Sequence, residues 1–469
     1  MDFASFGLLF ALATIYYGSF SGDIQYHFWL APLLTVLTLF ACWLLVRPQK
    51  YSQEDLLIYF GTGFVLLLIF FLGKLDFNYS VYLFAYLALA LIGCLFTYFG
   101  VKELRSIGKI SLKRLERLRQ PMILFIVLAC LICFLYFNNV IWNWGSEEGE
   151  VGIYAFQTLL HGASPYSKLY TMVYSWANGT VTPYAYFPST LLYYGLCSVL
   201  PVSPISVTPD FSNLKAGTLI ITIIAAILLL KTFKQLGHES VGRFLSILYV
   251  FVFGFTWGGL DDIHMFTAFS IILTTYFLTA GRKQICLLAA GFAALTQPIG
   301  TLFSAFVIVH VFRKTEPGFS NWKNWKNIVA LIPAVAVMMV FVFWNVQGFF
   351  SSIFEWYASR QGGFAATYFG TTSVANLTYF FSPIIGVIGA KTFFIAKVML
   401  TLLFGVILSL KFTKTITKTI FSAAVFILTW LLFVNNGISV MYLQEATVTI
   451  LLLAGLIMIN SLNAKETKK

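Results

Sequence analysis

The chain has 469 residues, of which 59% are hydrophobic and 10% are charged, and its mean hydropathy is +0.84. A soluble domain cannot bury so large an apolar fraction, so the composition excludes a soluble protein and predicts a polytopic membrane protein. The net charge of +12 does not indicate nucleic-acid binding, because the basic residues lie mainly in short links between apolar runs, as the positive-inside rule requires.

Apolar runs of membrane-spanning length recur along the chain and predict an all-α fold in the lipid bilayer. Because a span needs about 20 residues, we expect about 12 to 14 transmembrane helices and no soluble domain. N-terminal transmembrane helices and a basic link are expected over 1–120, a core over 121–348, and a loop followed by C-terminal transmembrane helices over 349–469. Downstream of the acidic loop described below, the apolar runs lie near 187–201, 214–236, 241–257, 263–280, 285–313, 327–348, 384–410, 418–435 and 439–460.

The link 101–120 sets the expected orientation of the chain. It carries seven Lys or Arg and two Glu, with leucine and isoleucine at near-helical spacing, and therefore predicts a cytoplasmic helix on the membrane surface. One span later the chain reaches the other side, so the stretch 142–194 and the loop over 349–383 are expected to be extracytoplasmic.

Two apolar runs do not fit a simple crossing. The run 187–201 is short, and the sequence leaves open whether it is re-entrant or crosses against the positive-inside rule. If it crossed the membrane, the chain would carry the basic residues that follow, Lys231, Lys234 and Arg243, on the extracytoplasmic side. The run 285–313 is too long for an untilted span and contains Gln297-Pro298, where proline removes a backbone hydrogen bond and permits a break.

Acidic residues are scarce, 18 in the whole chain, yet three of them lie close together at the start of the loop 143–188: Glu147, Glu148 and Glu150. A helix from about Val151 to His161 would place Tyr154, Thr158 and His161 on one face, one turn after a Glu150 carboxylate that faces water. Gly162 is a natural C-cap for this helix. Since a helix N-terminus stabilises carboxylates through its dipole, a structural role is the alternative to a catalytic one.

In their order, the motifs of this region resemble the GT-C class of integral-membrane glycosyltransferases. They are most similar to mannosyltransferases that use polyprenyl-phosphate mannose. The similarity consists of an acid four residues before Tyr154, a helix ending in LLHGASPY, the segment YAYFP, the turn GGLDDIH over 258–264, and a helix ending in LAAGFAALTQP. It covers 142–300, with Glu150 where the family usually has Asp and Gln297 where Lys is common.

The resemblance implies an inverting transfer of a hexose such as mannose from a polyprenyl-phosphate donor to a glycan, lipid or protein acceptor, outside the cytoplasm. Such a transfer needs a base for the acceptor hydroxyl and groups that stabilise the departing phosphate. Glu150 is the predicted base, followed by Glu148 and Glu147. The predicted substrate-binding residues are Tyr154, His161, Tyr166, Tyr186, Asp261, Asp262, His264, Gln297 and Arg360.

Metal dependence stays open at this point. The carboxylates are suited to a hard divalent cation such as Mg²⁺ or Mn²⁺, but no ligand set with diagnostic spacing occurs in the chain. Arg360 is predicted to contact the donor phosphate, because a guanidinium matches a phosphate in geometry. Glu445, in the last apolar run, has no predicted role.

Two other function classes compete with the enzyme. A transporter or flippase of lipid-linked saccharides would place ionisable residues within its spans and often has two related halves. The acids of this chain lie mostly in loops or at span ends, and the pattern of 142–194 does not recur, which favours the enzyme. A structural membrane subunit would keep its activity when Glu150 is replaced.

Overall fold

The structure is a computed structural model that describes residues 146–174, 179–200, 211–249, 263–313, 322–355, 389–434 and 443–466. The predicted transmembrane region 1–120 lies outside the described residues, as do the predicted site residues Asp261, Asp262 and Arg360. The described part of the chain is mostly helical, as predicted from the apolar runs.

The described residues form twelve α-helices, two β-strands and one π-helical turn, in the following chain order. They are α1 (Glu147–Leu160), β1 (Leu169–Thr171), β2 (Val181–Pro183), α2 (Ser189–Ser198), α3 (Phe211–Gln235), α4 (Glu239–Tyr249), α5 (Ile263–Thr279), α6 (Lys283–Ala294), α7 (Pro298–Arg313), α8 (Trp322–Trp344), α9 (Val346–Phe350), a π-helical turn (Ser351–Glu355), α10 (Ala390–Phe412), α11 (Ile416–Phe433) and α12 (Leu443–Glu466). The two strands form an antiparallel hairpin in which Leu169 pairs with Pro183 and Thr171 pairs with Val181.

Three of the described helices are long and apolar enough to cross a membrane: Ser212–Gln235 in α3, Asn324–Trp344 in α8 and Thr392–Phe412 in α10. Only 11% of the apolar stretch in α8 and 28% of that in α10 is buried, against 56% in α3. Since exposed apolar side chains on such helices fit a hydrocarbon environment, α8 and α10 present faces suited to lipid. The described part of the chain is therefore helical and has the length and composition of a membrane protein.

The two apolar runs that did not fit a simple crossing, 187–201 and 285–313, form short helices in the structure. The run 285–313 divides into α6 and α7 around Leu295–Gln297, which confirms the predicted break before Pro298. The run 187–201 contains α2, whose ten residues extend about 15 Å and cannot cross a hydrocarbon core of about 30 Å. Helix α2 alone therefore does not make the crossing that would have conflicted with the positive-inside rule.

The break between α6 and α7 is where the acidic loop joins the helical bundle. The carbonyl of Leu295 accepts a hydrogen bond from the backbone N–H of Ser189 at 3.0 Å, and that of Thr296 accepts one from Phe187 at 3.1 Å. The Ser189 hydroxyl also donates to the carbonyl of Phe292 at 3.1 Å. The start of α2 thus satisfies backbone groups that the break leaves without helical partners.

The apolar core consists of two clusters. The larger lies within the bundle, where α5 packs against α3, α6 and α12, and α11 packs against α7 and α12. The smaller lies beneath the acidic loop and joins α1, the hairpin, α2, α9 and the first residue of α5; its members include Val151, Tyr166, Tyr184, Tyr194, Ile263 and Phe349. This second cluster fixes the loop on the end of the bundle.

Helices α1 and α2 approach each other through two glycines. A Cβ on Gly152 would lie 2.0 Å from the ring of Tyr194, and one on Gly195 would lie 2.8 Å from the ring of Phe156. The Tyr194 hydroxyl donates to the carbonyl of Glu148 at 3.0 Å, so the ring that fills the space over Gly152 also bonds the first turn of α1. The position of the acidic turn therefore depends on this contact.

We predict that Gly152→Ala destabilises the loop by about 1–3 kcal/mol, because the added methyl group would overlap the Tyr194 ring. The measurement is the midpoint of thermal unfolding of the purified protein in detergent. Leu160→Ala, at an exposed position of the same helix, is the matched control and should change the midpoint little. Equal midpoints for Gly152→Ala and the wild type would show that α1 and α2 do not pack as described.

Candidate active site

The three clustered acids all lie in the first turn of α1. Ser146 caps the helix, and its hydroxyl oxygen accepts a hydrogen bond from the N–H of Gly149 at 2.8 Å. The helix therefore begins at Glu147, four residues before the predicted start at Val151. At its other end Gly162 has a φ of +74°, which confirms the predicted glycine cap.

Glu150 is enclosed by the loop that follows the hairpin strand β1. Its side chain is fully buried, and its Oε1 accepts hydrogen bonds from the backbone N–H groups of Val173 at 2.7 Å and Tyr174 at 3.0 Å. The prediction that this carboxylate faces water is therefore wrong. A residue 23 positions further along the chain covers it, and the helical pattern of α1 contains no sign of that contact.

Tyr154 completes the surroundings of Glu150. The pKa of the Tyr154 hydroxyl lies well above its ordinary value, chiefly because the group is removed from water. A hydrogen bond to Glu150 and the negative charge of that carboxylate raise the pKa further. The hydroxyl therefore stays protonated and donates to the carboxylate. Glu147 and Glu148, by contrast, are only half-buried. Of the three acids, these two have the more direct access to solvent.

The predicted tyrosines come together around the hairpin. The ring of Tyr154 stacks on that of Tyr170, with centroids 6.4 Å apart, and the buried Tyr166 donates its hydroxyl to the carbonyl of Tyr186 at 2.7 Å. Tyr166 thus has a structural bond, while Tyr186 is half-buried. His161 lies apart from them, exposed at the far end of α1 and about 16 Å along the helix from Glu150.

His264 and Gln297 meet inside the bundle, together with Glu445. The Nδ1 atom of His264 lies 2.8 Å from Oε1 of Glu445 and 2.9 Å from Nε2 of Gln297, and Gln297 also contacts that carboxylate oxygen. With the proton on Nδ1, His264 and Gln297 both donate to Glu445. All three side chains are buried, so in this structure the cluster joins the start of α5, the α6–α7 break and the start of α12.

An open cleft of about 610 Å³ lies between the loop and the segment that follows α8. Its lining residues are Tyr166, Ser167, Lys168, Leu169, Pro183, Asn345, Gln347, Gly348, Ser351, Ser352 and Glu355. Gly348 allows the two walls to approach, because a Cβ there would lie 2.2 Å from the carbonyl oxygen of Tyr166. Polar and charged side chains alternate with apolar surface in this lining, which suits a ligand that has both hydrogen-bonding groups and apolar faces.

The sequence indicated the acids and tyrosines but not two other parts of this region. Glu445 lies 181 residues from its partner His264, and its only signal was an acid within an apolar run. The cleft wall over 345–355 was not predicted either, and its only signal in the sequence was the fall in hydrophobicity at the end of the run 327–348. Among the described residues, no group of three or more His, Cys, Asp or Glu side chains is placed to hold a metal ion.

The chain matches no protein-family model and no curated protein. The resemblance to GT-C glycosyltransferases therefore rests on the residues quoted above and stays a prediction. The structure places the motif residues Glu150, Tyr154, Tyr166 and Tyr186 in one loop and brings Gln297 close beneath it, through the hydrogen bond from Phe187 to Thr296.

We predict different effects for two substitutions of Glu150. Glu150→Ala removes the acceptor for the N–H groups of Val173 and Tyr174 and should destabilise the loop by about 1–3 kcal/mol. Glu150→Gln keeps an oxygen in the same place and should remain near the wild type. The measurement is the rate of limited proteolysis between residues 172 and 181, and equal rates for both variants would contradict this geometry.

We predict that Glu445→Ala lowers the thermal unfolding midpoint more than Glu445→Gln does. Alanine leaves two buried donors without their acceptor, at a cost of about 3 kcal/mol or more, whereas glutamine keeps an acceptor oxygen. The midpoint in detergent measures this difference. If both variants unfold at the wild-type temperature, the three side chains do not hold the helix ends together.

Proposed function

We propose that the chain is a membrane glycosyltransferase that transfers a hexose such as mannose from a polyprenyl-phosphate donor to a glycan, lipid or protein acceptor. The observation that supports this function best is the arrangement of the loop. It holds three carboxylates in one helical turn and borders an open cleft, lined by several polar side chains, beside the apolar exposed helix α8. A lipid-linked donor would present its reacting carbon at this height.

The proposed reaction is a direct displacement. The acceptor hydroxyl oxygen forms a bond to the anomeric carbon, the bond from that carbon to the phosphate oxygen breaks, and polyprenyl phosphate leaves with the bonding electrons. A carboxylate takes the hydroxyl proton. Glu150 is the first candidate for this base, and it would act after Val173 and Tyr174 move away, since these residues cover it. Glu148 and Glu147 are half-exposed already.

The proposed side of the membrane is the extracytoplasmic one. Because α2 is too short to cross, α3 is the first described helix after the loop that can carry the chain through the membrane. The last turns of α3 contain Lys231 and Lys234, which then lie on the side opposite to the loop. The positive-inside rule favours the cytoplasm for these lysines and the outside for the loop. Arg360 stays a predicted contact of the donor phosphate.

A transporter or flippase of lipid-linked saccharides is the second candidate function. Three features favour it: the interrupted helix pair α6–α7, the buried Glu445 and His264 within the bundle, and Lys397, which is buried inside the span of α10. Ionisable side chains and broken helices at such depth occur in transporters. In the enzyme, the same features would support the loop and the membrane-facing site.

We predict that wild-type membranes transfer radiolabelled sugar from one member of a panel of polyprenyl-phosphate sugars to an acceptor extract. Glu150→Gln should lower this transfer by about a hundredfold or more, because the general base is lost while its hydrogen-bonding oxygen remains. Expression is matched by quantitative blotting, and Gln157→Ala, on the same helix, is the control.

The outcomes separate the alternatives. Transfer that survives Glu150→Gln but is lost in Glu148→Gln would move the base to Glu148 and keep the function. Absence of transfer by the wild type from every donor would contradict the glycosyltransferase. Movement of a labelled lipid-linked saccharide between leaflets of proteoliposomes, without transfer, would then establish the flippase.

A further inference from the structure

The segment Val346–Glu355, which consists of α9 and the π-helical turn, has three distinct faces. One face packs beneath the loop and contains Phe349 and Ile353. A second face lines the cleft with Gln347, Ser351 and Glu355. The third face is apolar and exposed, and it contains Val346, Phe350 and Phe354. Each face repeats at about four residues, as expected for a helical segment.

The exposed apolar face continues the lipid-facing surface of α8. Val346, Phe350 and Phe354 are 48%, 46% and 47% exposed, and the two phenylalanine rings stack with their centroids 5.6 Å apart. The last turns of α8 expose further apolar side chains, namely Met339, Val340, Phe343 and Trp344. A hydrocarbon chain in the bilayer can therefore follow α8 to the edge of the cleft.

The chemistry of the cleft suits a sugar. The polar residues Ser167, Asn345, Gln347 and Ser351 line it, and its two charged residues, Lys168 and Glu355, have opposite signs. An anion such as a phosphate would favour a surplus of positive charge, which this lining does not have. A neutral head group with many hydroxyls matches it better, because the cleft offers both donors and acceptors.

We propose that the cleft binds the head group of a lipid-anchored saccharide acceptor, whose hydrocarbon chain lies on Val346, Phe350 and Phe354. This inference rests on the proposed function and names the class of its acceptor. The hairpin connects the cleft to the carboxylates: Leu169 and Pro183 line the cleft, and the residues that follow Thr171 donate to Glu150. A head group in the cleft thus lies along the strand that leads to the acidic turn.

Photolabelling tests the site without relying on transfer. The probe is dodecyl α-mannoside with a diazirine near the end of its alkyl chain, added to the full chain in nanodiscs, and the reference is dodecanol with the same diazirine. For each probe, mass spectrometry gives the ratio of label on 346–354 to label on 335–343 of α8. We expect the ratio for the mannoside to exceed that for the alcohol about tenfold, equivalent to about 1.4 kcal/mol of preference.

The double variant Gln347→Ala/Glu355→Ala should bring the mannoside ratio down to that of the alcohol, since it removes head-group contacts and leaves the apolar face intact. The matched control, Val329→Ser/Ile332→Ser in the first half of α8, should leave the ratio for the mannoside above that for the alcohol. Equal ratios for the two probes on the wild type would overturn the proposal, because the exposed face would then be ordinary lipid contact.

A transfer assay separates this inference from the proposed function. With an active donor, the KM for dodecyl mannoside should be lower than the KM for methyl mannoside. The variant Phe350→Ser/Phe354→Ser should raise the KM for dodecyl mannoside about tenfold and leave the KM for methyl mannoside unchanged. Equal KM values for both acceptors would contradict the lipid-anchored acceptor and leave the glycosyltransferase standing. Absence of transfer from every donor would contradict the glycosyltransferase, while the photolabelling result would still decide the binding site.

Discussion

Two carbonyl groups at the end of the bundle belong to neither of the helices beside them. Since α6 ends at Ala294 and α7 begins at Pro298, the carbonyls of Leu295 and Thr296 need donors from elsewhere, and unpaired backbone groups are costly in an apolar environment. The start of α2 supplies both donors, from Ser189 and Phe187. The acidic loop is therefore held on the bundle by the same hydrogen bonds that satisfy the break, and these bonds help to place the described site residues of the loop.

The buried cluster of His264, Gln297 and Glu445 supports this junction from the inside. Gln297 contacts His264 at the start of α5 and Glu445 at the start of α12. It directly follows Thr296, whose carbonyl accepts the hydrogen bond from the loop. The buried carboxylate of Glu445 joins three helix ends, and removing it would leave buried donors without their acceptor. The loop above can then place its carboxylates and its cleft on a rigid base, as a site for bond-making chemistry requires.

Local signals in the sequence predicted the parts of this structure that depend on neighbouring residues. Pro298 predicted the break, and Gly162 predicted the end of α1, because both act on the backbone at their own positions. The burial of Glu150 and the partner of Glu445 were not predictable in this way, since each depends on a contact with a distant part of the chain. The periodicity of the sequence predicted the start of α1 four residues too late, because it left the acidic residues outside the helix. In the structure Ser146 caps the helix, so these acids form its first turn.

In the proposed function, the carboxylates of α1 and the adjoining cleft form a site for lipid-linked substrates at the membrane surface. An electron cryomicroscopy structure of the chain in nanodiscs with bound polyprenyl phosphate, the product of the proposed transfer, would show where this lipid binds. We expect phosphate density at the end of the bundle that carries the acidic loop, outside the cleft that we assign to the acceptor. Phosphate density inside the bundle beside His264 and Glu445 would contradict it and would favour transport.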